Sequence, residues 1–152
     1  MKLYPRERAI EVAARFKEVL ESPLLNVAGS IRREHLFVKD IDVVVLYGVE
    51  VVKRLDELGF NQNIGTTLRR GVFAGIPIDV FLATTFNVGA MLLFATGSSQ
   101  FNIQQRLRAR RLGLKLNQNG LFNWEQKLIA SVDENGIFNC LKSSFISPQE
   151  RD

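Results

Sequence analysis

The sequence predicts an α+β fold: a mixed β-sheet with flanking helices, followed by a small lobe of helices and a β-hairpin. Three patterns carry that reading. Between residues 6 and 21, Ile10, Ala13, Ala14 and Leu20 recur at helical spacing, which gives a helix one face to bury. Residues 39–47 form a β-branched run and residues 76–82 alternate their apolar side chains, both strand patterns. Asn119-Gly120 stands between short apolar runs at 114–116 and 121–124, as in a tight hairpin.

The other elements follow in order. Glu7 lies in the first turn of the first helix and Pro23 follows its end, a start and a stop. Residues 24–28 read as a short apolar strand ending at Gly29-Ser30. Residues 49–58 return to helix and stop at Gly59. Residues 60–69 and 72–83 read as two strands joined near Arg70-Gly71. Residues 86–95 form a helix that Thr84-Thr85 can cap, and Thr96-Gly97-Ser98 breaks it. Residues 100–112 form a basic helix ended by Gly113. A strand at 127–130 and a helix at 134–141 close the chain, with Trp124 packing the hairpin and Cys140 in the core. An exposed Trp124 could instead stack on a base. Residues 84–87 are the natural join, giving lobes 1–85 and 86–152.

Composition narrows the function classes. With 152 residues, 46% apolar and 24% charged, the chain buries a sizeable core, and disorder is excluded. The longest uncharged stretches are broken by Asp79, Asn87 and residues 96–100, so no membrane span is expected. The first residues lack a secretory pattern, which predicts an intracellular protein. Cys140 and His35 are the only cysteine and histidine, which excludes disulfides and Cys/His zinc sites, so any metal is held by oxygen. His35, in a polar turn, reads as structural or solvated. The net charge of +4 is uneven: residues 1–85 carry 12 basic and 11 acidic side chains, residues 86–152 carry 8 and 5. Between Glu57 and Glu125 the only carboxylate is Asp79, among Arg69, Arg70, Arg106, Arg108, Arg110, Arg111 and Lys115. Such a surface suits a polyanion and equally a solvated helix face.

Asp40 and Asp42, two residues apart in a strand, share a face ~6.5 Å apart along the backbone. Two carboxylates so placed can converge on hard cations such as Mg²⁺. They also suit the exposed face of a half-buried strand. Asp79 stands alone among Ile78, Val80, Phe81 and Leu82, and a charge there needs a partner or a metal. If the two strands are neighbours, three carboxylates meet, as a two-metal phosphoryl transfer requires. Upstream, Gly29-Ser30 ends a strand and Arg32-Arg33 follows. Glycine allows close backbone approach, serine adds a donor, and the arginines can grip a triphosphate.

Together these motifs resemble the family X DNA polymerases of the DNA polymerase β-like nucleotidyltransferase superfamily, over nearly the whole chain. Val27-Ala28-Gly29-Ser30-Ile31-Arg32-Arg33 looks like the Gly-Ser-x-Arg-Arg signature, Lys39-Asp40-Ile41-Asp42-Val43-Val44 like the metal-binding strand, and Pro77-Ile78-Asp79-Val80-Phe81 like the strand of the third aspartate. Phe94-Ala95-Thr96-Gly97-Ser98-Ser99-Gln100-Phe101-Asn102 is similar to the Tyr-Phe-Thr-Gly-Ser-x-x-Phe-Asn segment, with Arg106 and Gly113 at the family spacing, and Tyr4-Pro5-Arg6-Glu7 looks like the entry to the palm.

The resemblance implies a nucleotidyltransferase palm and a C-terminal thumb- or fingers-type lobe that touches nucleotide and template. Asp40 and Asp42 would bridge two Mg²⁺ ions, for which Mn²⁺ can substitute, and Asp79 would bind the catalytic one and help deprotonate the primer 3′-hydroxyl. Gly29, Ser30 and Arg33, with Arg6 as a further candidate, would hold the phosphates. Phe94, Thr96 and Gly97 would lie at the nucleotide sugar and Asn102 at the minor-groove edge of the base. Arg106 would lie at the template, with Arg108, Arg110, Arg111, Lys115, Arg69 and Arg70 gripping DNA. Phe94 replaces a tyrosine and Ala95 a phenylalanine, and Ser99 stands where some relatives carry a larger group, which leaves sugar choice and fidelity open. A lyase domain and a helix-hairpin-helix clamp are not expected, because Arg6 already belongs to the palm, as in the smallest viral members.

The reading is a template-directed DNA polymerase filling short gaps in repair. It would act as a monomer on gapped or primer–template DNA with dNTP, beside a separate repair ligase and away from membranes. A same-fold enzyme modifying RNA or protein, an untemplated terminal transferase, and a non-catalytic basic nucleic-acid-binding module are the alternatives.

Overall fold

The computed structural model describes residues 1–152. In chain order its elements are β1 (Tyr4–Pro5), α1 (Arg6–Leu20), β2 (Leu25–Val27), α2 (Gly29–Arg32), β3 (Phe37–Val38), β4 (Ile41–Leu46), α3 (Val49–Glu57), β5 (Gln62–Ile64), β6 (Leu68–Phe73) and β7 (Ile76–Ala83). Then come α4 (Val88–Thr96), α5 (Ser99–Arg111), β8 (Leu114–Asn117), β9 (Gly120–Asn123), β10 (Leu128–Ala130) and α6 (Glu134–Cys140). No helix is long and apolar enough to cross a membrane.

The first lobe is a five-stranded sheet in the order β2-β4-β7-β6-β5. It is mixed: β4 and β7 run parallel, and the other pairs are antiparallel. Period-2 alternation divides the two central strands cleanly. Ile41, Val43, Val45, Ile78, Val80 and Leu82 join Ala9, Val12, Phe16 and Leu20 of α1 in the main core. The opposite face presents Val44, Phe81 and Ala83 to Met91 and Ala95 of α4. Asp42 and Asp79 lie on that second face, at the level where the apolar cover stops.

The second lobe packs α5 and α6 with the sheet β10-β9-β8 around Leu93, Phe101, Ala109, Leu121, Ile137 and Phe138. One buried carboxylate ties it to the first. Glu134 accepts from Arg32 at 2.8 and 2.7 Å and from Arg151 at 2.7 Å. Arg151 is fully buried, its guanidinium 5.3–5.6 Å from the ring centres of Phe101, Phe138 and Phe145.

The structure moves several expected features. The strands read as joining near Arg70-Gly71 join at Ala74-Gly75, where φ is 50° and 80°, and Arg70 lies inside β6. The hairpin turn is Gln118-Asn119, one residue before Asn119-Gly120. Asn117 pairs with Gly120, and its Oδ1 closes the turn by accepting from the Asn119 amide at 2.8 Å. Helix α4 begins at Val88, and Thr84 does not cap it: Thr84 Oγ1 accepts from the Phe86 amide and Asn87 Oδ1 from the Thr84 amide, forming a turn ahead of the helix. Trp124 does not pack the hairpin; it is 81% exposed, because the lobe core is closed from the other face of that sheet.

Burial alone would raise the Glu134 carboxyl, but hydrogen bonds from Arg32 and Arg151 override it and hold it below the usual glutamate range. A depressed native pKa gives stability that is present at neutral pH and lost as pH falls through the acid range. Glu134→Ala strands two arginines and is expected to cost about 3–5 kcal/mol in chemical denaturation at neutral pH. Glu134→Gln is expected to flatten the acid limb of the stability profile, and an unchanged limb would contradict the assignment.

Candidate active site

Register builds the site. Asp42 of β4 pairs with Asp79 of β7, and Asp79 pairs with Arg70 of β6, so three charged side chains form a row across the sheet. Asp40 precedes β4 by one residue. These groups line a cleft of about 840 Å³ with Gly29, Ser30 and Arg33 on one wall and Phe94, Gly97, Asn102 and Arg106 on the other.

Gly29 meets two demands. Its φ is +59°, and a Cβ there would fall on the Asp42 carboxylate, so only glycine lets the start of α2 lie against that aspartate. Burial pushes the Asp42 carboxyl up to about 7, with Asp40 and Asp79 adding their repulsion and Arg33 opposing. Burial also raises Asp40, against the pull of Lys39. Asp79 accepts from Arg70 Nε and Nη2 at 2.7 and 2.9 Å. With Asp79 turned to Arg70, the carboxylates do not stand as a closed set of metal ligands. The donor set still fits a hard dication: all oxygen, adjacent in register, and carrying repulsion that a cation relieves.

On the phosphate side, Arg33 donates to the Thr96 carbonyl at 2.5 Å and to Asp152 at 2.8 Å. Asp152 also lies 2.9 Å from His35 Nε2. Hydrogen bonds from Arg33, then His35, hold Asp152 below the usual aspartate range. An internal carboxylate thus sits on the arginine read as the triphosphate grip. Arg32 turns the other way, to Glu134 and Thr96. On the facing wall, Asn102 Nδ2 donates to the Phe94 carbonyl at 2.9 Å, which fixes its amide, and Arg106 lies 5.6 Å from the Phe94 ring centre.

The structure gathers Gly29, Ser30, Arg33, Asp40, Asp42, Arg70, Asp79, Phe94, Gly97, Asn102 and Arg106 in the cleft. Arg6 lies outside it and donates to the Ile31 carbonyl at 3.2 Å. Thr96 is buried, its hydroxyl donating to Leu92 O. Arg69 pairs with Asp56, and Arg108 donates to the carbonyls of Leu141 and Lys142. Arg110, Arg111 and Lys115 are exposed beyond the cleft. Sequence reasoning missed Lys39, Gln100, Ile103 and Asp152 as lining residues. Lys39 was legible as the neighbour of Asp40, whereas nothing in the sequence joins residue 152 to residue 33.

Residues 91–152 match the family model described as DNA polymerase beta thumb. The polymerase beta of Leishmania infantum, solved as a ternary P/T complex, superposes on 99% of this chain and 77% of its own with a TM-score of 0.80 at 21% identity. DNA polymerase IV of Saccharomyces cerevisiae is 31% identical over 101 residues, which are 66% of this chain. The chain is similar to the family X polymerases. It has the polymerase β fold, and the stretch it shares with the yeast enzyme spans 16% of that protein.

The raised Asp42 predicts an inverted pH dependence for this polymerase-fold chain without divalent cations. Its native pKa lies above the unfolded value of 3.8, so the contribution of this one group to stability, opposite in sense to that of Glu134, is greatest in acid and is lost as pH rises through about 7. Asp42→Asn in chelator is expected to raise the melting temperature by about 2–6 °C at about pH 8, with a smaller gain at about pH 5. No gain at the higher pH would contradict the repulsion.

Proposed function

We propose that the chain is a template-directed DNA polymerase that adds dNMP from dNTP to a primer 3′-hydroxyl, acting as a monomer on short gaps in repair with a separate ligase sealing the product. The observation that carries this is the single cleft in which Asp40, Asp42 and Asp79 face Ser30 and Arg33 on one side and Asn102 and Arg106 on the other. Asp40 and Asp42 would hold two Mg²⁺ ions, or Mn²⁺ in their place, and Asp79 one of them. When bound, such ions activate the hydroxyl and balance the charge that develops on the transferred phosphoryl group.

The chain's own residues do the positioning. Arg33 and Ser30 orient the triphosphate, and Arg33 exchanges Asp152 for phosphate oxygens. Asp79, released from Arg70, would help deprotonate the primer 3′-hydroxyl. Asn102, with one amide hydrogen fixed by Phe94, keeps its Oδ1 and second N–H for the base edge. Phe94 and the small Ala95 border the sugar, so steric exclusion of a 2′-hydroxyl is weak on that side. Residues 1–85 thus carry the chemistry and residues 86–152 the nucleotide and template contacts.

The test is single-nucleotide addition to a gapped duplex with Mg²⁺, each dNTP offered against each template base. Asp79→Asn is expected to lower turnover by about 10²–10³ while DNA affinity holds. Untemplated addition, or turnover that survives in the variant, would refute the reading. Among the second-lobe cations with no carboxylate partner, four stand on α5 and β8: Arg106, Arg110, Arg111 and Lys115, whereas Arg108 is held by backbone carbonyls. If all four neutralise phosphates, log K against log salt should fall with a slope of about −3 to −4, and a slope near zero would remove DNA as the partner.

A further inference from the structure

Beyond the cleft, a groove of about 760 Å³ runs between α5 and β8. It shares Ile103 and Arg106 with the cleft. Its floor is apolar, with Leu107, Leu114 and Leu116, while Arg106, Arg110 and Lys115 supply charge, and no carboxylate lines it. Ile103 and Leu107 are 57% and 43% exposed although they lie on a helix whose other face is buried. An apolar floor with cationic edges is suited to a polynucleotide strand, which presents bases and sugars on one side and phosphates on the other.

The groove continues. Lys115 and Asn117 also line a shallow depression of about 390 Å³ formed with Phe122, Trp124 and Gln126. Lys115 pairs with Phe122 across the hairpin, so both project from one face of the sheet, and Trp124 follows at the end of the same strand. Trp124 is the most exposed aromatic side chain, at 81%, and belongs to none of the apolar cores. The one nearby acid, Glu125, is 4.0 Å from Lys127 and lines neither depression.

We propose that Trp124 is a stacking platform for a base of the single-stranded template overhang, which reaches it along the α5–β8 groove. The inference rests on the reading of the cleft as a polymerase site, since that reading sets a template strand at Arg106. Lys115 would neutralise the phosphate between groove and platform, and the indole would cover the base. Any base has a π-face, so the platform is indifferent to sequence and adds affinity for overhang-bearing DNA alone.

Trp124 is the only tryptophan, so its fluorescence reports the platform without a label. A primer–template with a long 5′ overhang and a blunt duplex of equal length, each labelled at the far duplex end for anisotropy, are titrated into the full chain. The expected result is strong quenching by the overhang DNA, little by the blunt DNA, and none by an overhang of abasic nucleotides that still binds. Trp124→Ala should weaken overhang DNA by about tenfold and leave blunt DNA unchanged, and Trp124→Phe should restore most of the loss. Circular dichroism confirms that both variants are folded. Binding without quenching, equal quenching by the abasic overhang, or an equal loss on both DNAs would overturn the platform alone. Failure of either DNA to raise the anisotropy would overturn the polymerase reading with it.

Discussion

Glu134, buried between Arg32 and Arg151, is the interaction on which the cleft depends. The apolar contact between the lobes is a cluster of 6 buried residues, against 17 in the core of the first lobe, and non-directional apolar burial of that size leaves the angle between lobes loosely set. A buried carboxylate is different. Removed from water it costs several kcal/mol, and that cost is met only when both arginines are in place. Arg32 comes from the short helix that begins at Gly29, and Arg151 is wedged among Phe101, Phe138 and Phe145. The arrangement therefore indexes the start of α2, which carries Ser30 and Arg33, against α4 and α5, which carry Phe94, Asn102 and Arg106.

The opposite economy governs the aspartates. Asp42 is pressed against Gly29 and beside Asp79 in parallel register, and both burial and like charge push it toward protonation. Nothing in the fold needs that repulsion, and an asparagine in its place would pack as well. A chain that merely bound nucleic acid would gain nothing from three mutually repelling carboxylates, which is the physical argument for a cation-dependent enzyme over a binder. Arg70 on Asp79 and Asp152 on Arg33 complete the picture. Each is an internal counterion for a group whose proposed partner is charged, and each is partly exposed, at 48% and 52%, so exchange with a solvated ligand is inexpensive.

Most of the first lobe was legible because its patterns are local. Alternation placed the central strands, and the spacing of Asp40 and Asp42 placed them on one face. The parallel register that brings Asp79 level with Asp42 was legible only as a condition, that the two strands be neighbours. Turns were misplaced by one to four residues. Asn117 closes the hairpin with its side chain and Ala74 accepts a positive φ, and neither residue advertises this as Asn-Gly does. Glu134, Arg151 and Asp152 were not legible at all, since their roles depend on partners more than 100 residues away in sequence or on a pocket of aromatic rings.

Charge shows why such distance matters. Seven basic residues stand out around the single acid Asp79, and the sequence treats them alike. In the fold Arg69 and Arg70 are paired with carboxylates and Arg108 with two carbonyls, and those three serve the protein. Arg106, Arg110, Arg111 and Lys115 keep no such partner. A basic run is thus a mixture of structural and available charge, and only the available part can release counterions from DNA. Because Arg106, Arg110 and Lys115 also line one groove with an apolar floor, the charge that remains is directional: it leads away from the aspartates along the second lobe toward the exposed indole of Trp124.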